Sequence, residues 1–304
     1  MNTPKTNFEK VQEFNRAFDM APKEPAYYLA GYMDEEGRPE FSSFIHLRKE
    51  IITEQPKVLR LRLDLIKEEI NELNDAVKAN DIIETRDALA DILYVAYGMG
   101  DVLGIYMDLL VHNNLKEMQP TTIKNGMQIF KTIPKYGNQD ETNSKFVGLT
   151  NYKWMQIYME LFPNIMTSEP LEEKRPAATL AGINASYQTL ETEILAPNAL
   201  EKIGFIAGYL ARIVNLVYVY TILLGVDADA DFDIVHSSNM SKLCDTEADA
   251  QATVADYEAK WAAGTSPYDS PYYYALPELG KWIVKNKSTG KALKNIKYRK
   301  VQFL

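Results

Sequence analysis

Two neighbouring segments carry acidic residues at spacings that could do chemistry. The first, LIKEEINELNDAV, holds Glu68, Glu69 and Glu72; the second, IIETRDALADILYVAYGMGD, holds Glu84, Asp87, Asp91 and Asp101. At about 100° per residue, the spacing of three puts Glu69 and Glu72 side by side on one edge of a helix, with Glu68 behind them. On the second segment Glu84, Asp87, Asp91, Tyr94, Gly98 and Asp101 fall on one face about 100° wide. No Lys or Arg occurs from Asp87 to Leu115. Solvated helix faces usually mix both signs. A face of carboxylates without a base, with a glycine that lets something approach, suits a hard divalent cation bound through oxygen. A plain solvated face is the alternative.

Helices must position these groups. Leu59, Leu63, Ile66, Ile70, Leu73 and Val77 recur every three or four residues, which predicts an amphipathic helix of about five turns. A second helix is expected from Ile82 to Leu103, with Gly104 as its stop. Strand signals are confined to Tyr272–Tyr274 and to Lys281–Val284 with Ala292–Ile296, the latter two predicted to form a small hairpin around Ser-Thr-Gly. The expected fold class is therefore mainly α.

The chain has 304 residues, 46% of them hydrophobic and 25% charged, enough for two domains with substantial cores. A net charge of −9 argues against general nucleic-acid binding. The lone Cys244 excludes an internal disulfide framework and a multi-cysteine zinc site. With no signal-type apolar run at the N-terminus, a cytoplasmic setting is expected. Phe205–Val226 is long and apolar enough to span a membrane, but Arg212 and Asn215 within it favour a buried core helix.

The sequence also repeats itself. Gln12 in FEKVQEFNRAF matches Gln156 in YKWMQIYMELF, Gly104 matches Gly225, and His112 matches His236, always in that order. The offsets are 144, 121 and 124. The excess in the first copy is about the length of the stretch Tyr27–Glu50, read as an insertion. This divides the chain into copy one over residues 1–140 and copy two over 151–304, joined near Gly137–Thr150.

KEEINELNDAVKANDIIETRDALADILYVAYG resembles the signature of the all-α nucleoside triphosphate pyrophosphohydrolases, the superfamily of MazG, dimeric dUTPase and phosphoribosyl-ATP pyrophosphohydrolase. Glu69 and Glu72 match the Glu-x-x-Glu element and Asp91 matches the final Asp of the second helix. Ala88 stands where the family carries Glu, so Asp87 or Glu84 must complete the set. DIVHSSNMSK (Asp233–Lys242) and NKSTGKALKNIKY (Asn286–Tyr298) are similar to the C-terminal elements of the phosphoribosyl-ATP pyrophosphohydrolase-like subgroup.

The resemblance implies tandem MazG-like bundles paired within one chain as a pseudo-dimer, with further homo-oligomerisation open. It implies a nucleoside triphosphate substrate, released as monophosphate and pyrophosphate, and Mg²⁺ as cofactor with Mn²⁺ as a substitute. Glu69, Glu72, Asp87 and Asp91 would hold the metal, and one of Glu68, Glu69 or Glu72 would take the proton from water. Lys242, Lys291 and Lys294 are the phosphate candidates, and Asn239 and Tyr94 are nucleotide contacts. From Lys281 to Leu304 there are eight Lys or Arg and no acid, a concentration that suits phosphate; a nucleic-acid-binding tail is the rival. Counting at the offset of 121 puts Arg212, Gly208, Phe205, Leu190 and Glu193 opposite Asp91, Asp87, Glu84, Glu69 and Glu72, so copy two is expected to lack a metal site. The alternative function is a non-catalytic nucleotide-binding or sensing protein.

Overall fold

The structure is a computed structural model that describes residues 5–20, 48–111 and 171–303. Most of the 27–50 insertion, the join, Gln156 and His112 lie outside these residues.

The chain is mainly helical. Its elements are α1 (Asn7–Ala17), α2 (Lys49–Thr53), α3 (Pro56–Ala79), α4 (Ile82–Leu103), α5 (Met107–Leu110), α6 (Leu171–Ile194), a 3₁₀ turn (Ala199–Lys202), α7 (Ile203–Leu224), α8 (Ala228–Met240) and α9 (Glu247–Ala262). Strands β1 (Pro271–Leu276) and β2 (Lys281–Asn286) follow. The predicted stripe on α3 is the buried one: Leu59, Leu63, Ile66, Ile70 and Leu73 all face the core. The second helix begins where Asp81 accepts hydrogen bonds from the Ile83 and Glu84 amides, satisfying donors the first turn leaves free. It ends at Gly104, whose φ of 77° is a left-handed cap that a side chain would strain.

α3 pairs with α4 and α6 with α7, and the pairs pack on each other through α3–α6 and α4–α7 contacts. One hydrophobic core runs through both pairs, α1 and α8. α4 and α7 are each 22 residues long, begin 121 positions apart and end on left-handed glycines, Gly104 and Gly225. The apolar window within Ala199–Leu224 is 83% buried inside the protein, as expected of a core helix.

On α3 and α6 the repeat runs at a different register. The partly or fully buried set Arg62, Ile66, Glu69, Ile70, Leu73, Val77 corresponds to Thr179, Ile183, Ser186, Tyr187, Leu190, Ile194, an offset of 117. The linker accounts for the difference: two residues, Asn80 and Asp81, separate α3 from α4, whereas Leu195–Lys202 separates α6 from α7. Packing adapts accordingly. Arg62 is buried beneath Gly98, where an added Cβ would lie 3.0 Å from the Arg62 Nη1; the corresponding positions in the second pair are Thr179 and Val219, a smaller residue facing a larger one.

The hairpin is not the one predicted. β2 pairs antiparallel with the Tyr-rich β1, Tyr273 opposite Val284, and the 292–296 segment contributes one isolated bridge, Lys285 to Ala292. Pro277–Gly280 closes the turn, and Gly280 supplies the positive φ. Cys244, Ala250, Val284 and Leu293 form a second small core between α9 and this sheet.

Candidate active site

The carboxylates of α3 and α4 meet on one side of the first helix pair. Glu69 is half-buried, and its carboxyl is pushed up to about 8, first by loss of solvent and then by Asp91, Glu72, Glu68 and Asp87. Asp91 is raised to about 7 by burial, then by Asp87 and Glu72. Asp87 is raised to about 6 by burial, then by Glu84, Glu72 and Asp231. Each of these groups would give up its proton more readily with a cation between them. Glu68, Glu72 and Glu84 are exposed at the rim. Asp101, counted on the same helical face, does not belong to this cluster. It is 3% exposed beneath α1, where it accepts hydrogen bonds from Gln12 (3.1 Å) and Asn15 (2.9 Å) and faces the buried Arg62.

Beyond Arg86, the bases that face the α4 acids come from the far end of the chain. Lys242, at the end of α8, acts on the Asp91 carboxylate and lowers its proton affinity. Its own pKa is lowered by burial, then by repulsion from Lys294 and Lys291, and is partly restored by Asp91. Lys242 is held in place: its Nζ donates to Asn239 Oδ1 (2.7 Å) and lies 5.7 Å above the Phe14 ring. Lys291 and Lys294 are exposed, their ammonium groups 5.7 and 4.6 Å from the Tyr268 and Tyr298 rings. The two C-terminal motifs bind each other. Ser238 Oγ lies 3.0 Å from the Tyr298 hydroxyl and donates to the Arg299 carbonyl (2.8 Å), and the Arg299 amide donates to Ser241 Oγ (2.9 Å).

Tyr94 is not a stacking platform. It is 6% exposed, edge-on to Phe14 and stacked on Phe232, and its hydroxyl lies 3.0 Å from His236 Nδ1. Burial lowers the pKa of the imidazole. Tyr94, His236 and Asn239 thus form a supporting layer behind Lys242. Sequence reasoning passed over three residues around it: Phe14, and Arg86 with Asp231 (2.7 and 2.9 Å), a pair that ties α4 to α8 beside Asp87. The signal was an isolated Arg in an otherwise acidic stretch.

All donors in the acidic cluster are oxygens, as a hard cation requires. Asp87 Oδ1 is buried with no hydrogen-bond partner, a costly state that a cation would relieve. Among the described residues no three carboxylate, imidazole or thiol groups stand close enough to cage an ion unaided. Mg²⁺ does not need such a cage, because waters and substrate phosphates complete its shell. Glu69, Glu72, Asp87 and Asp91 could hold it on those terms.

In the second helix pair the corresponding positions carry other residues. Arg212 occupies the place of Asp91, and its Nε donates to Ser186 Oγ (3.1 Å). Ser186, not Leu190, therefore stands where Glu69 does, and the sequence count is corrected by one turn of α6. Glu193 shifts likewise and is bound to Lys202 at 2.6 Å.

Residues 39–116, spanning α2 to α5, match the phosphoribosyl-ATP pyrophosphohydrolase family. The chain belongs to the MazG-like all-α nucleoside triphosphate pyrophosphohydrolase superfamily. This MazG-like protein is 33% identical over 296 residues to an uncharacterized protein of Acanthamoeba polyphaga mimivirus, covering 97% of this chain and 93% of the relative. That similarity runs through both helix pairs of the MazG-like chain. No solved structure matches it. The family supports a hydrolase of the nucleotide pyrophosphohydrolase type.

Proposed function

We propose that the protein is a Mg²⁺-dependent nucleoside triphosphate pyrophosphohydrolase, converting a ribo- or deoxyribonucleoside triphosphate and water into the monophosphate and pyrophosphate. The two helix pairs are read as a duplication that forms a pseudo-dimer, with one acidic site per chain. The observation that carries this reading is the electrostatic meeting of Asp91 with Lys242, acids of the first half against bases of the second.

Phosphoanhydride hydrolysis needs neutralised phosphate charge and a positioned, deprotonated water. Bound Mg²⁺ would supply Lewis acidity beside Glu69, Glu72, Asp87 and Asp91. Lys242, Lys291 and Lys294 neutralise the phosphate oxygens from the opposite side, with Asn239 fixing the Lys242 ammonium. One of Glu68, Glu69 or Glu72 accepts the proton as the water oxygen bonds to phosphorus and the bridging oxygen departs with pyrophosphate. Glu69 is the half-buried member of the three, the other two being exposed.

Pyrophosphate release from a panel of ribo- and deoxyribonucleoside triphosphates, with and without Mg²⁺, tests the proposal. Metal-dependent release from at least one of them is expected. Tight nucleotide binding without release would instead identify a sensing protein.

A further inference from the structure

We infer that the exposed stripe on α7 beside α6 is a metal-independent nucleotide site, in which Arg212 takes the phosphates and Phe205 with Tyr209 takes the base. Its equivalence to the acidic site rests on the duplication proposed above; the binding itself does not.

Phe205, Gly208, Tyr209 and Arg212 follow one another at helical spacing and form a single stripe on α7. Three features of that stripe have no structural explanation. Phe205 is 69% exposed, although α7 is otherwise the most apolar and buried helix of the bundle. Gly208 sits mid-helix, where glycine is unfavourable, yet among the described residues nothing lies within 4 Å of the place its Cβ would occupy. Arg212 is half-buried, and among the described residues its hydrogen-bond partner is the Ser186 hydroxyl, with no carboxylate paired to it. A partly desolvated guanidinium without an anion is an anion site. The acid two turns along α6, Glu193, is already neutralised by Lys202.

The spacing selects the ligand. An open glycine lets a ligand reach the helix backbone between an exposed aromatic ring and a cation, and a base joined to a phosphate presents the same pair of groups. Replacing Asp91 and Glu69 by Arg212 and Ser186 exchanges metal-mediated for direct phosphate recognition. Such a site holds nucleotide without cleaving it, and it shares one core with the acidic site through the α4–α7 contact.

Equilibrium dialysis of the full chain against α,β-methylene analogues of the common nucleoside triphosphates, in Mg²⁺ and in EDTA, provides the test. Binding that survives EDTA is expected, weakened at least about ten-fold by Arg212→Met and by Gly208→Leu and unaffected by Lys78→Ala, a lysine paired with Asp75 on the exposed face of α3. Gly208→Leu has open space and favours the helix, so its effect cannot be ascribed to unfolding. Absence of EDTA-resistant binding, insensitivity to either α7 variant, or loss in Lys78→Ala would overturn the inference. So would equal competition by inorganic pyrophosphate, because a base would then contribute nothing. Failure of the proposed catalysis reads out separately, as absent pyrophosphate release in wild-type protein.

Discussion

Between α3 and α4 the inward polar positions hold Glu69 and Asp91; between α6 and α7 the same positions hold Ser186 and Arg212. The helix lengths, glycine caps and apolar contacts are alike, so the backbone does not dictate the chemistry. A cluster of half-buried acids is tolerable only when something cationic faces it. In the first pair that role falls to Lys242 and, in the proposed reaction, to a metal. In the second pair substitution has removed the need. In the proposed duplication one pair specialises while the other continues to supply part of the shared core.

The sharpest way to break this contrast is to neutralise the acidic pair. Asp91→Asn or Glu69→Gln should abolish pyrophosphate release, measured at saturating Mg²⁺, without lowering the thermal midpoint of the metal-free protein. Retention of most activity by either variant would remove the acids from the site. Next in size, Lys242→Ala or Lys294→Ala should lower kcat/KM by about ten- to a hundred-fold, the effect of one lost charge-assisted hydrogen bond of roughly 1.5–3 kcal/mol. Lys78→Ala, whose side chain pairs with Asp75 on the exposed face of α3, should leave kcat/KM unchanged. If the lysine variants instead spare hydrolysis and flatten the salt dependence of nucleic-acid binding, the basic tail has a different partner.

A smaller effect appears in stability. The carboxyls of Glu69, Asp87 and Asp91 hold protons more tightly folded than unfolded, so their contribution is fully present below about pH 4 and lost as pH rises. Metal-free protein should therefore melt at higher temperature at pH 6 than at pH 8, and Glu69→Gln should flatten that slope. A midpoint that rises toward pH 8 would show that the cluster is relaxed in solution. Smallest of all, Glu193→Gln should change the hydrolysis rate by less than about two-fold, because it breaks only a partly exposed ion pair with Lys202. A ten-fold loss, about 1.4 kcal/mol in barrier, would mean that the second pair takes part in the chemistry.

Much of the first pair was legible because periodicity and caps are local. The stripe from Leu59 to Val77 and Gly104 set the buried face of α3 and the end of α4, and the acids followed. What escaped depended on distant chain. A helical wheel places Asp101 with Asp91 but cannot reveal that Gln12 and Asn15 cover it. Counting at one fixed offset cannot see a longer linker, so it missed Ser186 by one turn. Tyr94 looked like a base platform because its aromatic ring is visible in sequence and its enclosure by Phe14 and Phe232 is not. The hairpin was misassigned for a similar reason: Lys281–Val284 has two candidate partners nearby, and only Cys244, Ala250 and the second small core decide between them.

Lys285 is buried in β2, and its ammonium donates to the Phe18 carbonyl (3.1 Å) and to Asp19 (2.8 Å), while the Tyr274 hydroxyl donates to the same Asp19 carboxylate (2.5 Å). The end of α1 is thereby fastened to a hairpin some 266 positions later. During synthesis the acids leave the ribosome first and the lysines last. A growing chain therefore carries the acidic helix pair long before it carries the lysines proposed to hold phosphate, and α1 is clasped only once Lys285 has been made. In the proposed reaction nucleotide turnover would then be a property of completed translation, and a chain broken off before the hairpin would be silent rather than half-active.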